Sequence, residues 1–141
     1  MRRSFLGSAA ALAAGAVAPT ARAQGAAAPL RVVVQVSEAD PARWNLALNN
    51  VQNLQEALGT ELAGIEVVAF GPGIGMLKFD APTNARVSEA IKSGVNVRAC
   101  ENTMRHQKLV RADMHPSVSY VAAGVVEIVQ RQQQGWIYLR P

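Results

Sequence analysis

Two short runs of almost unbroken apolar residues constrain the fold of this chain more than any other feature. They are residues 30–37 (LRVVVQVS) and residues 64–71 (GIEVVAFG). A strand with one face in water alternates apolar and polar residues, whereas a strand buried on both faces is a continuous Val- and Ile-rich run. Each run therefore predicts a strand that is covered on both faces.

Amphipathic segments separate the apolar runs. Asp40 is placed to cap a helix that has Pro41 at its first position and ends at Gly59. The apolar residues of this helix recur three and four apart at Trp44, Ala47, Leu48, Val51, Leu54 and Leu58. The pattern predicts one face packed against a sheet.

The rest of the chain repeats this alternation. Helical patterns occupy residues 82–94, 101–109 and 124–135, and strand patterns occupy residues 95–99, 117–122 and 136–139. The last helix has Val125, Ile128, Val129 and Gln132 along one side. Short connections between apolar strands and helices predict a three-layer α/β sandwich with a mainly parallel five-stranded sheet, as one domain over residues 30–141.

Residues 1–23 have the pattern of a cleavable export signal. Arg2 and Arg3 precede a small-residue apolar run, and residues 21–23 (ARA) form an A-x-A cleavage site. The R-R-x-F-L start indicates the twin-arginine type, with a Sec-type signal as the alternative. We expect a periplasmic protein, a flexible lead-in at residues 24–29, and no stable membrane insertion after the signal is removed.

The charge balance argues against nucleic acid as a partner. The whole chain carries a formal charge of +4, but Arg2, Arg3 and Arg22 would leave with the signal and reduce it to about +1. No basic stripe then remains for a phosphate backbone or an anionic membrane.

The chain contains a single cysteine, Cys100. One cysteine excludes an internal disulfide and cannot form a zinc site alone. Cys100 follows the strand at residues 95–99 and precedes a helix, where unpaired N–H groups and the helix dipole favour the thiolate. The sequence leaves open a reactive thiol, a cross-link between chains, or an inert buried residue.

Helical geometry ranks the neighbours of Cys100. At about 100° per residue, Thr103 and Met104 lie within about 60° of Cys100, whereas His106 lies about 120° away. His106 is therefore a poor general base for the thiol despite its nearness in sequence.

Four residues are the binding candidates around the thiol: Arg98, Asn102, Thr103 and Gly73. Arg98 lies two residues before Cys100 and points to the same face if the strand continues that far. Gly73 belongs to residues 71–76 (GPGIGM), which lack the spacing of a phosphate loop. A tight turn that brings backbone close to a neighbouring loop is the favoured interpretation of that segment, with one wall of a pocket as the alternative.

The two histidines do not indicate a metal site. Cys100, His106 and His115 have no recognised ligand spacing, and His115 precedes Pro116, as a turn residue does. We predict no metal and no cofactor.

Four segments resemble the DsrE/DsrF-like family, and more narrowly its small exported single-domain branch. They are residues 30–59, 65–79, 94–104 and 125–141, which include Ala99-Cys100-x-x-Thr103 and a Gln-rich helix that leads into Gly135-Trp136-x-Tyr138. The resemblance implies a five-stranded α/β sandwich that assembles into trimers or hexamers. In the relay members of the family, which are cytoplasmic, a cysteine accepts sulfane sulfur as a persulfide and passes it to a partner protein. That cysteine corresponds to Cys100.

Two functions follow as hypotheses. The first is a sulfurtransferase-like persulfide carrier that uses Cys100 alone, since a second cysteine would discharge the persulfide as a disulfide. The second is a non-catalytic oligomeric module for ligand binding or assembly, in which Cys100 fills space. A thiol enclosed by the fold without a mobile cover would favour the second hypothesis, because a buried cysteine cannot relay sulfur.

Overall fold

The computed structural model describes residues 29–141, so the predicted export signal and nearly all of the predicted lead-in lie outside the described residues. Within this range the sheet has five parallel strands in the order β4-β3-β2-β1-β5. The strands are β1 (Leu30–Val36), β2 (Leu62–Ala69), β3 (Asn96–Cys100), β4 (Ser119–Val121) and β5 (Ile137–Leu139). The predicted α/β class with a parallel five-stranded sheet is confirmed.

The α-helices of the described residues connect these strands. They are α1 (Pro41–Leu58), α2 (Asn84–Lys92), α3 (Glu101–His106) and α4 (Gly124–Gln133), and 3₁₀ turns lie at Gly59–Glu61, Gly71–Leu77 and Arg111–Asp113. The predicted cap of α1 is present, since Asp40 Oδ1 accepts a hydrogen bond of 2.9 Å from the Ala42 N–H. Among residues 29–141, no helix is long and apolar enough to cross a membrane.

One face of the sheet carries the larger core, which packs under α1 and α2. Alternate residues of β1, β2 and β3 point to this side and meet the buried face of α1. These residues are Val32, Val34, Val36, Ile65, Val67, Ala69, Val97 and Ala99 from the strands, with Trp44, Ala47, Leu48 and Val51 from α1. The turn Gly71–Leu77 adds Ile74, Met76 and Leu77, each fully buried.

The opposite face is covered by α4 alone among the described helices. Val33, Val68 and Ile128 form a small buried cluster, against which Phe70 and Trp136 pack. The sequence pattern placed Val125 and Val129 on the same side of α4 as Ile128, but they are 58% and 51% exposed. With no second helix beside α4, only the ridge that contains Gly124 and Ile128 is buried against the sheet.

Candidate functional site

Cys100 is the last residue of β3 and the N-cap of α3. Its neighbours Val97 and Ala99 point into the larger core. Because successive side chains of a strand alternate between faces, Arg98 and Cys100 both point to the α4 face. The side chains of Arg98 and Cys100 therefore lie on the same face of the sheet, as the sequence predicted.

Two backbone N–H groups from different helices donate to the sulfur of Cys100. The Gly124 N–H, at the start of α4, lies 3.3 Å from Sγ, and the Thr103 N–H, in the first turn of α3, lies 3.5 Å from it. The Thr103 hydroxyl oxygen accepts a hydrogen bond of 2.8 Å from the Gly71 N–H, which leaves its own proton free for another acceptor. The sulfur therefore accepts hydrogen bonds from the first turns of both helices, and the Thr103 side chain is a further donor.

These donors decide the protonation of the thiol. Burial by itself raises the pKa of Cys100, but the hydrogen bonds from the Thr103 side chain and from the backbone N–H groups of Gly124 and Thr103 outweigh it. The net result is a pKa below the ordinary value of a cysteine. The site therefore favours the nucleophilic thiolate.

The thiol itself is covered, since Cys100 is only 4% exposed. The start of α4 is bonded to the sulfur, and Asn102, which binds the Ala122 carbonyl through its N–H, is exposed beside it. A reagent cannot reach the sulfur until one of these segments moves. Access to the thiol is thus the main restriction on the chemistry of this site.

The remaining sequence candidates divide between the site and the core. Thr103 is in direct contact with the sulfur, whereas Met104 is buried in the larger core. Gly73 packs against the end of β1, where an added Cβ would lie 2.3 Å from the Val36 carbonyl oxygen. The turn Gly71–Leu77 thus brings the Gly73 backbone against the backbone of β1, as the tight-turn interpretation expected. His106 is exposed at the end of α3.

His115 has a structural role in a turn. Its Nδ1 accepts a hydrogen bond from the Ser117 N–H, so the ring proton lies on Nε2 and is donated to the Ser88 hydroxyl over 2.6 Å. Burial lowers the pKa of His115 and keeps the ring neutral. Among the residues that the structure describes, no three His, Cys, Asp or Glu side chains gather to hold a metal ion.

Sequence reasoning missed Glu66, Glu127 and Arg131. With the sequence candidate Arg98 they form a group of charged residues on the α4 face, here called the Glu66 cluster. Glu66, on β2, is fully buried. One of its carboxylate oxygens lies 3.0 Å from Arg131 Nη2 and 3.5 Å from Arg98 Nε. Arg131 also pairs with Glu127 one turn earlier on α4, at 2.9 Å. The cluster thus joins β2 and β3 to α4.

Glu66 has an unusual protonation equilibrium. Burial, together with a hydrogen bond that protonated Glu66 donates to Glu127 and the negative charge of Glu127, raises the pKa of Glu66 to about 7, against the opposing effect of Arg131 and Arg98. One signal was available in the sequence, because Glu66 is the only charged residue in the run GIEVVAFG. Its partners were not predictable, since they lie 32 or more residues away along the chain and meet Glu66 only in the fold.

The class of fold is shown by comparison with solved structures. The structure has a DsrE/YchN-like fold, as do three solved structures that it resembles. The YchN protein from E. coli is 14% identical with a TM-score of 0.65, over 79% of this chain and 99% of that one. The BT1422 protein of unknown function from Bacteroides thetaiotaomicron is 11% identical with a TM-score of 0.65, over 79% and 94%.

The third structure establishes the family. The MTH1491 protein of unknown function from Methanobacterium thermoautotrophicum is 39% identical to this chain, with a TM-score of 0.76, over 79% of this chain and 99% of that one. The chain belongs to the same family as the MTH1491 protein. No protein-family model and no curated protein matches the sequence.

Proposed function

We propose that this protein is a sulfur carrier of the DsrE/DsrF type, which holds one sulfane sulfur on Cys100 as a persulfide. The observation that carries the proposal is the convergence of the Gly124 and Thr103 N–H groups on one sulfur atom. Donors placed in this way stabilise an anionic sulfur. The same two N–H groups would stabilise the attacking thiolate and the persulfide anion that forms from it.

The transfer balances without a cofactor. With thiosulfate as donor, the Cys100 thiolate attacks the outer sulfur, a new S–S bond forms, and the old S–S bond breaks. The electron pair of that bond leaves with sulfite, and Cys100 carries a persulfide anion. An acceptor thiolate then attacks the outer sulfur and releases the Cys100 thiolate. Because Cys100 is the only cysteine of the chain, no internal thiol can intercept the persulfide.

Export and assembly belong to the same proposal. The pattern of residues 1–23 supports a periplasmic protein, and the donor and acceptor would be small sulfur compounds or partner proteins of that compartment. A homo-oligomer, a trimer or hexamer, is supported by apolar side chains exposed on α4 and on the edge strand β5. These side chains are Val125, Val126, Val129 and Ile137.

A second function, a non-catalytic module for ligand binding or assembly, is favoured by one observation. Cys100 is 4% exposed, and buried free cysteines commonly serve as small apolar residues. In this case the N–H groups at Cys100 only satisfy the ends of α3 and α4. The exposed apolar side of α4 would then be the working surface of the protein.

Intact-protein mass spectrometry after incubation with thiosulfate or polysulfide separates the two functions. The carrier gains the mass of one or more sulfur atoms, loses it on treatment with dithiothreitol, and gains none as Cys100→Ser. Circular dichroism of Cys100→Ser verifies that the variant is folded. A folded wild-type protein whose thiol gains no sulfur and resists alkylation would exclude the carrier and favour the second function.

A further inference from the structure

Helix α4 contacts the sheet along one narrow stripe of residues. Gly124, Ile128 and Arg131 are spaced four and three residues apart, so they lie within about 60° of one another around the helix. Gly124 and Ile128 are buried, and the side chain of Arg131 is only 24% exposed. The valines on the other side of the helix are exposed. The position of α4 on the sheet therefore depends on this stripe.

The first end of the stripe meets the thiol. The Gly124 N–H lies 3.3 Å from Cys100 Sγ, and Gly124 packs so closely on Phe70 that an added Cβ would lie 2.9 Å from the Phe70 Cβ. The other backbone donor, the Thr103 N–H at 3.5 Å, belongs to α3 and follows Cys100 by three residues in the chain. Of these two contacts, only the one from Gly124 depends on where α4 lies.

The last turn of the stripe is held by Glu66 on β2. Arg131 Nη2 lies 3.0 Å from Glu66 Oε2, and Glu66 is fully buried. Two further contacts fix the direction of the Arg131 side chain. They are the Glu127 carboxylate at 2.9 Å and the ring of Trp136, whose centroid lies 4.8 Å from the guanidinium carbon. The guanidinium group is thus held in place at the buried carboxylate.

The same oxygen of Glu66 faces the strand that carries the thiol. Arg98, two residues before Cys100 on β3, has its Nε 3.5 Å from Glu66 Oε2. Neither Glu66 oxygen nor the Arg98 Nε makes a hydrogen bond of good geometry, so the attraction is mainly electrostatic. One buried oxygen therefore lies between β3, which holds the sulfur, and α4, which holds the Gly124 donor. Removal of one partner would leave the others buried with less compensation.

We propose that Glu66 and Arg131 are positioning residues for Cys100: their ion pair fixes one end of α4, and the helix thereby holds the Gly124 N–H against the sulfur at the other end. Arg131 lies about 10 Å from Gly124 along the helix axis, a distance over which the hydrogen-bonded helix moves as one piece. The two residues act through the helix and take no part in sulfur transfer themselves.

The amide protons of Gly124 and Thr103 report the two contacts separately in nuclear magnetic resonance spectra recorded at one pH. Glu66→Met and Arg131→Met each replace a charged group with an unbranched apolar side chain. In both variants we expect the Gly124 amide to exchange at least about tenfold faster and its proton resonance to move upfield, because its bond to the sulfur lengthens. The Thr103 amide, which α3 positions, should keep its wild-type exchange rate and resonance.

Conservative variants distinguish the ion pair from general packing. Glu66→Gln keeps an oxygen that can accept a hydrogen bond, and Arg131→Lys keeps a cation, so each should lie closer to the wild type than its methionine counterpart. The double variant Glu66→Met with Arg131→Met should resemble either single variant, because both changes remove the same contact. Glu89→Gln, which alters an exposed glutamate on α2, is the matched control and should follow the wild type.

Alkylation of Cys100 by iodoacetamide separates movement of the helix from a direct effect of charge. The loss of the Arg131 charge would by itself disfavour the thiolate and slow the reaction. A displaced α4 exposes the sulfur, so we expect Arg131→Met to react faster than the wild type. Slower alkylation of Arg131→Met would contradict the proposal.

The proposal is also overturned if Gly124 exchanges at the wild-type rate in the methionine variants, or if Gly124 and Thr103 accelerate equally, as general destabilisation would cause. Circular dichroism verifies folding, and if Glu66→Met does not fold, the partly exposed Arg131 carries the test with Arg131→Met and Arg131→Lys. Light scattering gives the subunit number, and an effect that appears only with dissociation overturns the proposal as well.

The consequence for sulfur chemistry rests on the proposed function, whereas the position of the Gly124 N–H does not. If Gly124 responds to Glu66 and Arg131 but Cys100 gains no sulfur, the carrier fails and the positioning role stands. If Cys100 gains sulfur while Gly124 is unaffected, the carrier stands and the positioning role fails. Where both hold, dithiothreitol should discharge the persulfide of Arg131→Met faster than that of the wild type.

Discussion

The two faces of the sheet are built in opposite ways. Among residues 29–141, the face under α1 and α2 belongs to a core of twenty-one buried apolar side chains, whereas the buried cluster at α4 has three. The second face also carries the buried Glu66 and the thiol of Cys100. The comparison indicates that stability resides mainly on the first face, which allows the second to hold charged and nucleophilic groups and to move.

The largest expected effect compares one buried isoleucine from each face. We expect Ile74→Ala, in the larger core, to lower the free energy of unfolding by about 4 kcal/mol, because the packed surroundings cannot collapse into the cavity. Ile128→Ala, on the buried side of α4, should cost only about 2 kcal/mol, since the helix can settle onto the sheet. Urea denaturation of both variants measures the difference. Equal losses would contradict the comparison between the two faces.

The next effect is the pH dependence of stability that Glu66 causes. Its pKa is raised from 4.5 to about 7, so the folded state holds its proton more tightly than the unfolded state. The stabilisation is complete below about pH 4.5 and is lost as pH rises to about 7, with a total of at most about 3 kcal/mol. Denaturation midpoints of Glu66→Gln should lack this decline, whereas those of Glu89→Gln should retain it. A wild-type protein without the decline would show that folding does not raise the pKa of Glu66.

A smaller effect is expected where α4 touches the sheet. A Cβ at Gly124 would lie 2.9 Å from the Cβ of Phe70, so Gly124→Ala forces the start of α4 away from Cys100. We expect a loss of about 2 kcal/mol in stability and a higher alkylation rate of Cys100. The companion variant Phe70→Ala with Gly124→Ala should restore slow alkylation by relieving the contact. Slow alkylation of Gly124→Ala would mean that α4 does not control access.

The smallest effect concerns the hydroxyl of Thr103. Thr103→Val removes a hydrogen bond to the sulfur and leaves the Gly71 N–H without its acceptor, at a cost of about 1 kcal/mol. The pKa of Cys100 should rise, which a pH profile of the alkylation rate detects. Thr103→Ser keeps the hydroxyl and should retain the wild-type profile. A shift of the same size in both variants would assign the effect to packing.

Much of the first face was predictable from local patterns. The run LRVVVQVS matches β1, Asp40 caps α1 as expected, and Gly59 ends it with a positive φ of 49°. These features depend on nearest neighbours along the chain or on the helical period. Gly73 was also interpretable, because a glycine-rich turn after a buried strand indicates close contact with a neighbouring backbone.

The candidate site was predictable only in part. The position of Cys100 at the end of a strand and the shared face with Arg98 follow from the period of a strand. The contact with Thr103 follows from the period of a helix. The Gly124 N–H comes from a helix that begins 24 residues later, and no local pattern predicts which helix N-terminus will meet the sulfur.

The parallel α/β architecture and the place of the cysteine at a strand-to-helix junction follow from local sequence, because backbone preferences and side-chain periodicity act over a few residues. The contact of α4 with Cys100 and the meeting of Glu66 with Arg98, Glu127 and Arg131 arise only in the folded chain. Burial and electrostatic interaction depend on distances in space, and those distances arise when elements far apart in the chain pack on one face of the sheet.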